Sequence, residues 1–202
     1  LDLKIGGTES TVAVNISRLG KKTAWVSRLP NTPLGRKVSA TLQQQGVDTS
    51  AVIWDEDHRM GLYFVEFGVE PRPTRVWYDR ANSAAAQMSP RDLPAGQIKA
   101  ARWLHVTGIT PALSDTCAET VIAAVQYAKE QNTTVSLDVN YRAKLWSSEQ
   151  AAKFLAPLCQ QADVVLTAHR DAQLLFGADD DPKRAIQSLQ QQWGGKVFIT
   201  PG

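Results

Sequence analysis

The spacing of apolar residues changes along this chain, and each change marks a new element. After Gly6-Gly7, the residues Val12, Ala13, Ile16 and Leu19 recur at helical spacing, and Gly20 stands where a helix C′ residue belongs. Residues 23–27 read as a short strand, and a second helix over 34–45 closes at Gly46. Between Leu62 and Arg80 the character shifts to aromatic and β-branched residues in two runs, 62–67 and 74–78. The segment between them holds Gly68, Pro71 and Pro73, so the pair predicts a hairpin that projects from the main sheet. From Trp103 the helix–strand alternation returns. Strands are expected at 103–106, 135–139, 164–166 and 197–200. Helices are expected at 116–131, with Ser114 or Asp115 as N-cap, at 148–158, around Leu174, Leu175 and Phe176, and at 182–192. This alternation implies an α/β fold with a doubly wound, mostly parallel sheet.

Composition narrows the class. The chain has 202 residues, enough for one α/β domain over 1–202 with a lid hairpin at about 61–80. Hydrophobic residues make up 43% and charged residues 21%, close to a globular average. A net charge of +2, with basic residues scattered, argues against a nucleic-acid partner. No apolar stretch is long enough for a bilayer, and Leu1-Asp2-Leu3-Lys4 lacks the order of a signal peptide, so a cytoplasmic protein is expected. Cys117 and Cys159 have no CxxC partner and read as buried thiols in a reducing compartment. His58, His105 and His169 form no metal-spaced set, and His105 reads as a hydrogen-bonded core residue. No Walker A sequence and no Ser/His/Asp arrangement occurs.

Ligands of open parallel sheets bind beyond the carboxyl ends of the strands. Residues 107–111, 138–142 and 167–171 fall there, and Gly6-Gly7 before a helix is a fourth such segment. Asp138, Asn140 and Arg142 stand two apart and would share one side if the strand continued. The Arg142 guanidinium suits a carboxylate. Tyr63, Tyr78 and Arg80 offer aromatic faces and a cation that could close over a polar ligand. The competing reading is sheet packing or an oligomer interface, which Phe64 and Trp77 suit well.

Several of these segments together resemble one family. Gly6-Gly7-Thr8-Glu9-Ser10-Thr11-Val12-Ala13 with Arg18-Leu19-Gly20 is similar to the N-terminal signature of the ribokinase-like (PfkB) carbohydrate kinases. Gly61-Leu62-Tyr63, Val76-Trp77-Tyr78-Asp79-Arg80 and Ser83-Ala84 resemble the lid of the 2-keto-3-deoxygluconate kinase branch. The most specific pieces are residues 107–114 (Thr-Gly-Ile-Thr-Pro-Ala-Leu-Ser) and Leu137-Asp138-Val139-Asn140-Tyr141-Arg142 with Leu145-Trp146-Ser147.

The resemblance implies transfer of the ATP γ-phosphate to the 6-hydroxyl of 2-keto-3-deoxygluconate, with Mg2+, in the intact protein. It implies that Gly7, Tyr63, Tyr78, Arg80, Ile109 and Arg142 bind the sugar acid. Ala168, Asp171 and Gly202 would lie on the nucleotide side. Three places depart from the family. Thr11 stands where Asn is usual, residues 31–35 replace a commonly acidic loop, and Ala168 and Asp171 replace the Asn and Glu of an Asn-x-x-Glu motif near magnesium and phosphates. The chain is expected to be truncated at both ends, with the first strand before Leu1 and the catalytic Asp beyond Gly202, and so to hold no catalytic residue and show no turnover alone. A homo-oligomer through the lid, a PfkB kinase for a neutral sugar and a non-catalytic sugar-acid binding protein are the further expectations.

Overall fold

Backbone packing in the computed structural model, which describes residues 2–201, divides the chain into two units, Leu1–Met88 and Ser89–Gly202. In the first, helix α1 (Thr8–Arg18) opens at Gly7, whose φ is 152°. The Gly7 carbonyl accepts from the Thr11 amide at 3.0 Å, the Thr11 hydroxyl at 2.6 Å and the Ser10 hydroxyl at 3.1 Å. These three bonds fix the first turn without a side-chain cap. Strands β1 (Thr23–Ala24) and β2 (Arg28–Pro30) follow, then α2 (Pro33–Gln44), β3 (Val47–Asp48) and β4 (Ile53–Asp55).

The strand expected over 23–27 stops after Ala24, and a second strand begins only at Arg28. β1 pairs in parallel with β3 and β2 with β4, so one extended run changes partner midway. The Trp25 amide still bonds to the Asp48 carbonyl at 2.9 Å, and the Ser27 carbonyl already accepts from Ile53 at 2.9 Å. Hydrophobic periodicity carries no information about which segment a strand pairs with. Ala13, Leu42 and Val47 form a small core there, backed by Val14, Trp25 and Val38. Strands β5 (Leu62–Glu66) and β6 (Arg75–Asp79) make the expected antiparallel hairpin.

The second unit begins with α3 (Ala95–Ala100), a short helix the sequence pattern missed because it buries only Ile98. Then come β7 (Trp103–Thr107), α4 (Asp115–Glu130), β8 (Thr134–Asp138), α5 (Ser148–Gln161), β9 (Val164–Ala168), α6 (His169–Phe176), α7 (Pro182–Trp193) and β10 (Lys196–Thr200). The four strands are all parallel, in the order β10-β9-β8-β7. Val135, Ser136 and Leu137 are buried in succession, so both faces of β8 are covered, as a parallel sheet between helices requires.

The helix starts follow local chemistry. Ser114 caps α4 by accepting from the Cys117 amide, and Ser147 with Gln150 forms a capping box on α5. Helix α5 runs past the expected end at 158 and carries Pro157 inside it; the Gln161 side chain donates to the Pro157 carbonyl at 3.3 Å. The core joins Val121, Val125 and Ala128 of α4 to Val135 and Leu137 of β8, Leu155 and Leu158 of α5 and Val165 of β9. His105 is hydrogen-bonded as expected, with Nδ1 at 2.8 Å from the Ser136 hydroxyl, but it is half-buried rather than in the core. Cys117 and Cys159 are buried thiols, and burial pushes the Cys159 thiol up to about 12. Among the described residues no helix is long and apolar enough to cross a membrane.

Candidate functional site

Strand alternation sorts the hairpin into two faces. Tyr63 lies opposite Tyr78 in the β5–β6 register, and Phe64 lies opposite Trp77. Directly opposed residues share a face, so the two tyrosines stand together on one side and Phe64 with Trp77 on the other. The tyrosine rings are 6.2 Å apart and tilted by 41°. Arg80, just past β6, stacks its guanidinium 4.3 Å from the centre of the Tyr78 ring. On the far side, Tyr63 rests on the Gly6-Gly7 loop. A Cβ added at Gly6 would lie 2.1 Å from the Tyr63 hydroxyl oxygen and 2.8 Å from its ring, so only glycine leaves room for this contact.

The first unit therefore joins the glycine loop, Tyr63, Tyr78 and Arg80 in one run of contacts. The two residue pairs that the sequence offered for the hairpin's competing readings thus lie on opposite faces. The outer pair is open, Phe64 being 51% and Trp77 55% exposed.

Two charged clusters without a sequence signal link separate segments of this unit. Arg59 donates to the Asp79 carboxylate at 2.5 and 3.1 Å, and to the carbonyls of Asp79 and Ala81 at 3.2 and 3.0 Å. Asp55, at the end of β4, is 4% exposed and sits 3.0 Å from Arg28 Nη2 and 3.0 Å from His58 Nδ1. It also accepts from the amides of Asp57 and His58, both at 2.9 Å. Burial alone would raise its pKa, but the His58 side chain and the two amides outweigh it and hold the carboxyl down at about 2.

In the second unit the expected segments leave β7, β8 and β9 at one edge of the sheet, because these strands are parallel neighbours. Gly108 donates to the Asp138 carbonyl at 2.8 Å, and a Cβ there would meet the Val139 carbonyl oxygen at 2.2 Å. Side-chain volume is thus excluded where the loops after β7 and β8 touch. Ile109 follows, half-buried, with its amide bonded to the Thr107 hydroxyl at 3.2 Å.

The alternation expected through Asp138, Asn140 and Arg142 does not continue. β8 ends at Asp138, and Asn140 takes a φ of 37° while its side chain donates to the Asp138 carboxylate at 3.2 Å. Tyr141 turns inward, its hydroxyl bonded to the Trp146 carbonyl at 3.3 Å, and Arg142 is exposed at the loop surface. Ala168 is the N-cap of α6 and brings no side-chain bond to it. Asp171 is 5% exposed and lies 3.3 Å from Arg170 Nη2. Gly202 lies outside the described residues.

Residues 1–202 match the family described as pfkB family carbohydrate kinase. The chain belongs to that family. The parallel α/β fold agrees with family members of known structure. A 2-dehydro-3-deoxygluconokinase from Thermotoga maritima superposes with a TM-score of 0.91 at 33% identity, over 98% of this chain and 63% of that one. Among curated relatives, a 2-dehydro-3-deoxygalactonokinase from Haloferax volcanii is 43% identical across 100% of this chain and 64% of its own length. A 2-dehydro-3-deoxygluconokinase from Bacillus subtilis is 33% identical over 72% of this chain and 45% of its own. The chain thus spans 64% of the length of the Haloferax relative.

PfkB kinases typically use a divalent metal with their nucleotide. Among the described residues, no three His, Cys, Asp or Glu side chains are grouped as a metal site. Ala168 has no ligand atom in its side chain, and Asp171 is buried beside Arg170. Ala168 and Asp171 therefore do not form a magnesium-binding set.

Proposed function

We propose that the protein is a sugar-acid kinase that phosphorylates the 6-hydroxyl of a 2-keto-3-deoxy sugar acid with ATP, and that residues 1–202 supply the acceptor side of its site. The observation that carries this reading is the run from the Gly6-Gly7 loop through Tyr63 and Tyr78 to Arg80. A sugar presents ring carbons and hydroxyls, which suit an aromatic face beside an open backbone. A sugar acid adds a carboxylate, which needs a cation. Arg80 already stands on an aromatic face that shields it on one side, and such partly desolvated cations bind anions more strongly than those in open water.

Gly7, Tyr63, Tyr78 and Arg80 are read as contacts from the first unit. Ile109 and Arg142 are assigned to the sugar acid by the family resemblance alone, Arg142 as a further carboxylate partner exposed at its loop. Ala168 and Asp171 are read as nucleotide-side positions. Magnesium bound with ATP would neutralise phosphate charge in the complete site. The relatives' names support the substrate class, and they include both the galactonate and the gluconate form. The residues that catalyse transfer are inferred to lie outside these 202, so the chain alone should bind the acid without turning it over. The outer hairpin face, Phe64 with Trp77, is read as the surface that a second copy of the chain covers.

Calorimetric titration tests the assignment. The two epimeric acids should bind, and Arg80→Ala should weaken both by about 2 kcal/mol, the low end for truncating a charge pair at a binding interface. A neutral sugar of the same size should be little affected. Equal losses for acid and neutral ligands would remove the sugar-acid reading and leave a kinase for a neutral sugar.

A further inference from the structure

Arg80 is the last residue of the aromatic run, and a segment distant in sequence grips the backbone on either side of it. Both residues that flank it, Asp79 and Ala81, are held by one side chain. Arg59 gives the Asp79 carboxylate a two-pronged contact at 2.5 and 3.1 Å and reaches the backbone carbonyls of Asp79 and Ala81 at 3.2 and 3.0 Å. Its own backbone joins the same segment: the Arg59 carbonyl accepts from Ala84 at 2.9 Å, and Arg59 forms an isolated parallel bridge with Ser83. Gly61 completes the packing, since a Cβ there would lie 3.3 Å from the Ser83 side chain and 3.5 Å from the Arg80 Cβ.

As an anchor for stability this arrangement is poor. The Arg59 and Asp79 side chains are 43% and 57% exposed, and ion pairs in that setting contribute little to folding. A planar fork that grips a carboxylate and two carbonyls does supply something else, which is direction. With residues 79 and 81 fixed on either side, the backbone at Arg80 has little freedom to turn, and its guanidinium stays on the Tyr78 ring.

We propose that Arg59 is a positioning residue that aims Arg80 at the carboxylate of the sugar acid. This inference rests on the reading above, in which Arg80 meets that carboxylate. Arg59 touches no substrate in it and acts through Asp79 and Ala81. Lysine would keep the charge at position 59 and lose the fork.

Calorimetry with 2-keto-3-deoxygluconate and with its methyl ester, which lacks the charge, tests the inference on the full chain. Arg59→Lys should weaken binding of the acid about tenfold, a coupling of ordinary size for residues in one bonded network, and leave the ester nearly unchanged. In an Arg80→Ala background the same substitution should change neither ligand. Asp79→Asn approaches the contact from the other side and should reproduce the loss; it carries the test if thermal melting shows that Arg59→Lys does not fold. Equal weakening of acid and ester, or a full Arg59→Lys effect in the Arg80→Ala background, overturns the inference while the substrate reading stands. Arg80→Ala without effect on the acid would instead remove the substrate reading, and the role of Arg59 with it.

Discussion

The hydroxyl of Tyr63 occupies the space where a side chain at Gly6 would begin, 2.1 Å from the position of its Cβ. A methyl group at residue 6 must therefore push the tyrosine ring away. The ring tip is the free end of a side chain that is 47% exposed, so it can move without disturbing the core. Gly6→Ala should leave overall stability within about 0.5 kcal/mol, as for most surface changes. Sugar-acid affinity should nevertheless fall by about tenfold or more, because a small displacement of a contact group is costly. Circular-dichroism melts and calorimetry on one sample separate the two effects. Unchanged affinity would show that Tyr63 does not contact the ligand.

Acid should loosen the first unit through Asp55. Its folded pKa of about 2 lies below the ordinary value of 3.8. A depressed carboxyl contributes stability above its unfolded pKa and loses it as pH falls through the folded one. The contribution, about 2 kcal/mol, should thus be complete above about pH 5 and disappear between roughly pH 4 and 2. Arg28 and His58 are the charged or titratable side chains that face Asp55. Asp163 and Asp179 also sit below the ordinary carboxyl range. Burial of Asp163 is outweighed by Lys129 and the Val135 amide, and Asp179 is held down mainly by the Asp181 amide. Urea unfolding of the wild type and of Asp55→Asn at pH 6, 4 and 3 isolates the Asp55 part. The variant should be less stable at pH 6, and the gap should have narrowed by about half at pH 3, on its way to closing near pH 2. A constant gap at all three values would assign the acid sensitivity to other groups.

The outer hairpin face should hold two copies together. Phe64 and Trp77 are opposed in register and more than half exposed, an arrangement that leaves a paired aromatic surface uncovered. Sedimentation velocity should show a dimer for the wild type. Trp77→Ser should weaken association by about 2 kcal/mol, the scale of a central aromatic anchor. A wild type that sediments as a monomer at all accessible concentrations removes the dimer.

Much of this was legible in the chain itself, for a definite reason. Elements such as α4, β8 and the hairpin announce themselves because their side-chain periods, 3.6 and 2, are written in consecutive residues. The same period placed Tyr63 and Tyr78 on the two strands of the hairpin, but not their pairing, which is a matter of register. Contacts that join distant positions leave no such trace. Arg59 and Asp79 are twenty residues apart. Arg28 reaches Asp55 across paired strands, and the split of the run at 23–30 depends on where its two partners lie. Asn140 misled the strand reading for another reason. Its left-handed backbone is stabilised by a local bond to Asp138, and local chemistry of this kind overrides alternation.

The register of the hairpin also limits how its length can vary. Gaining or losing one residue within Leu62–Glu66 would exchange the two faces, sending Phe64 toward the glycine loop and Tyr63 outward. The connection over residues 67–74 carries no such parity. Across related chains, inserted and deleted residues should therefore gather at the tip, while the strands keep their length or change it in steps of two.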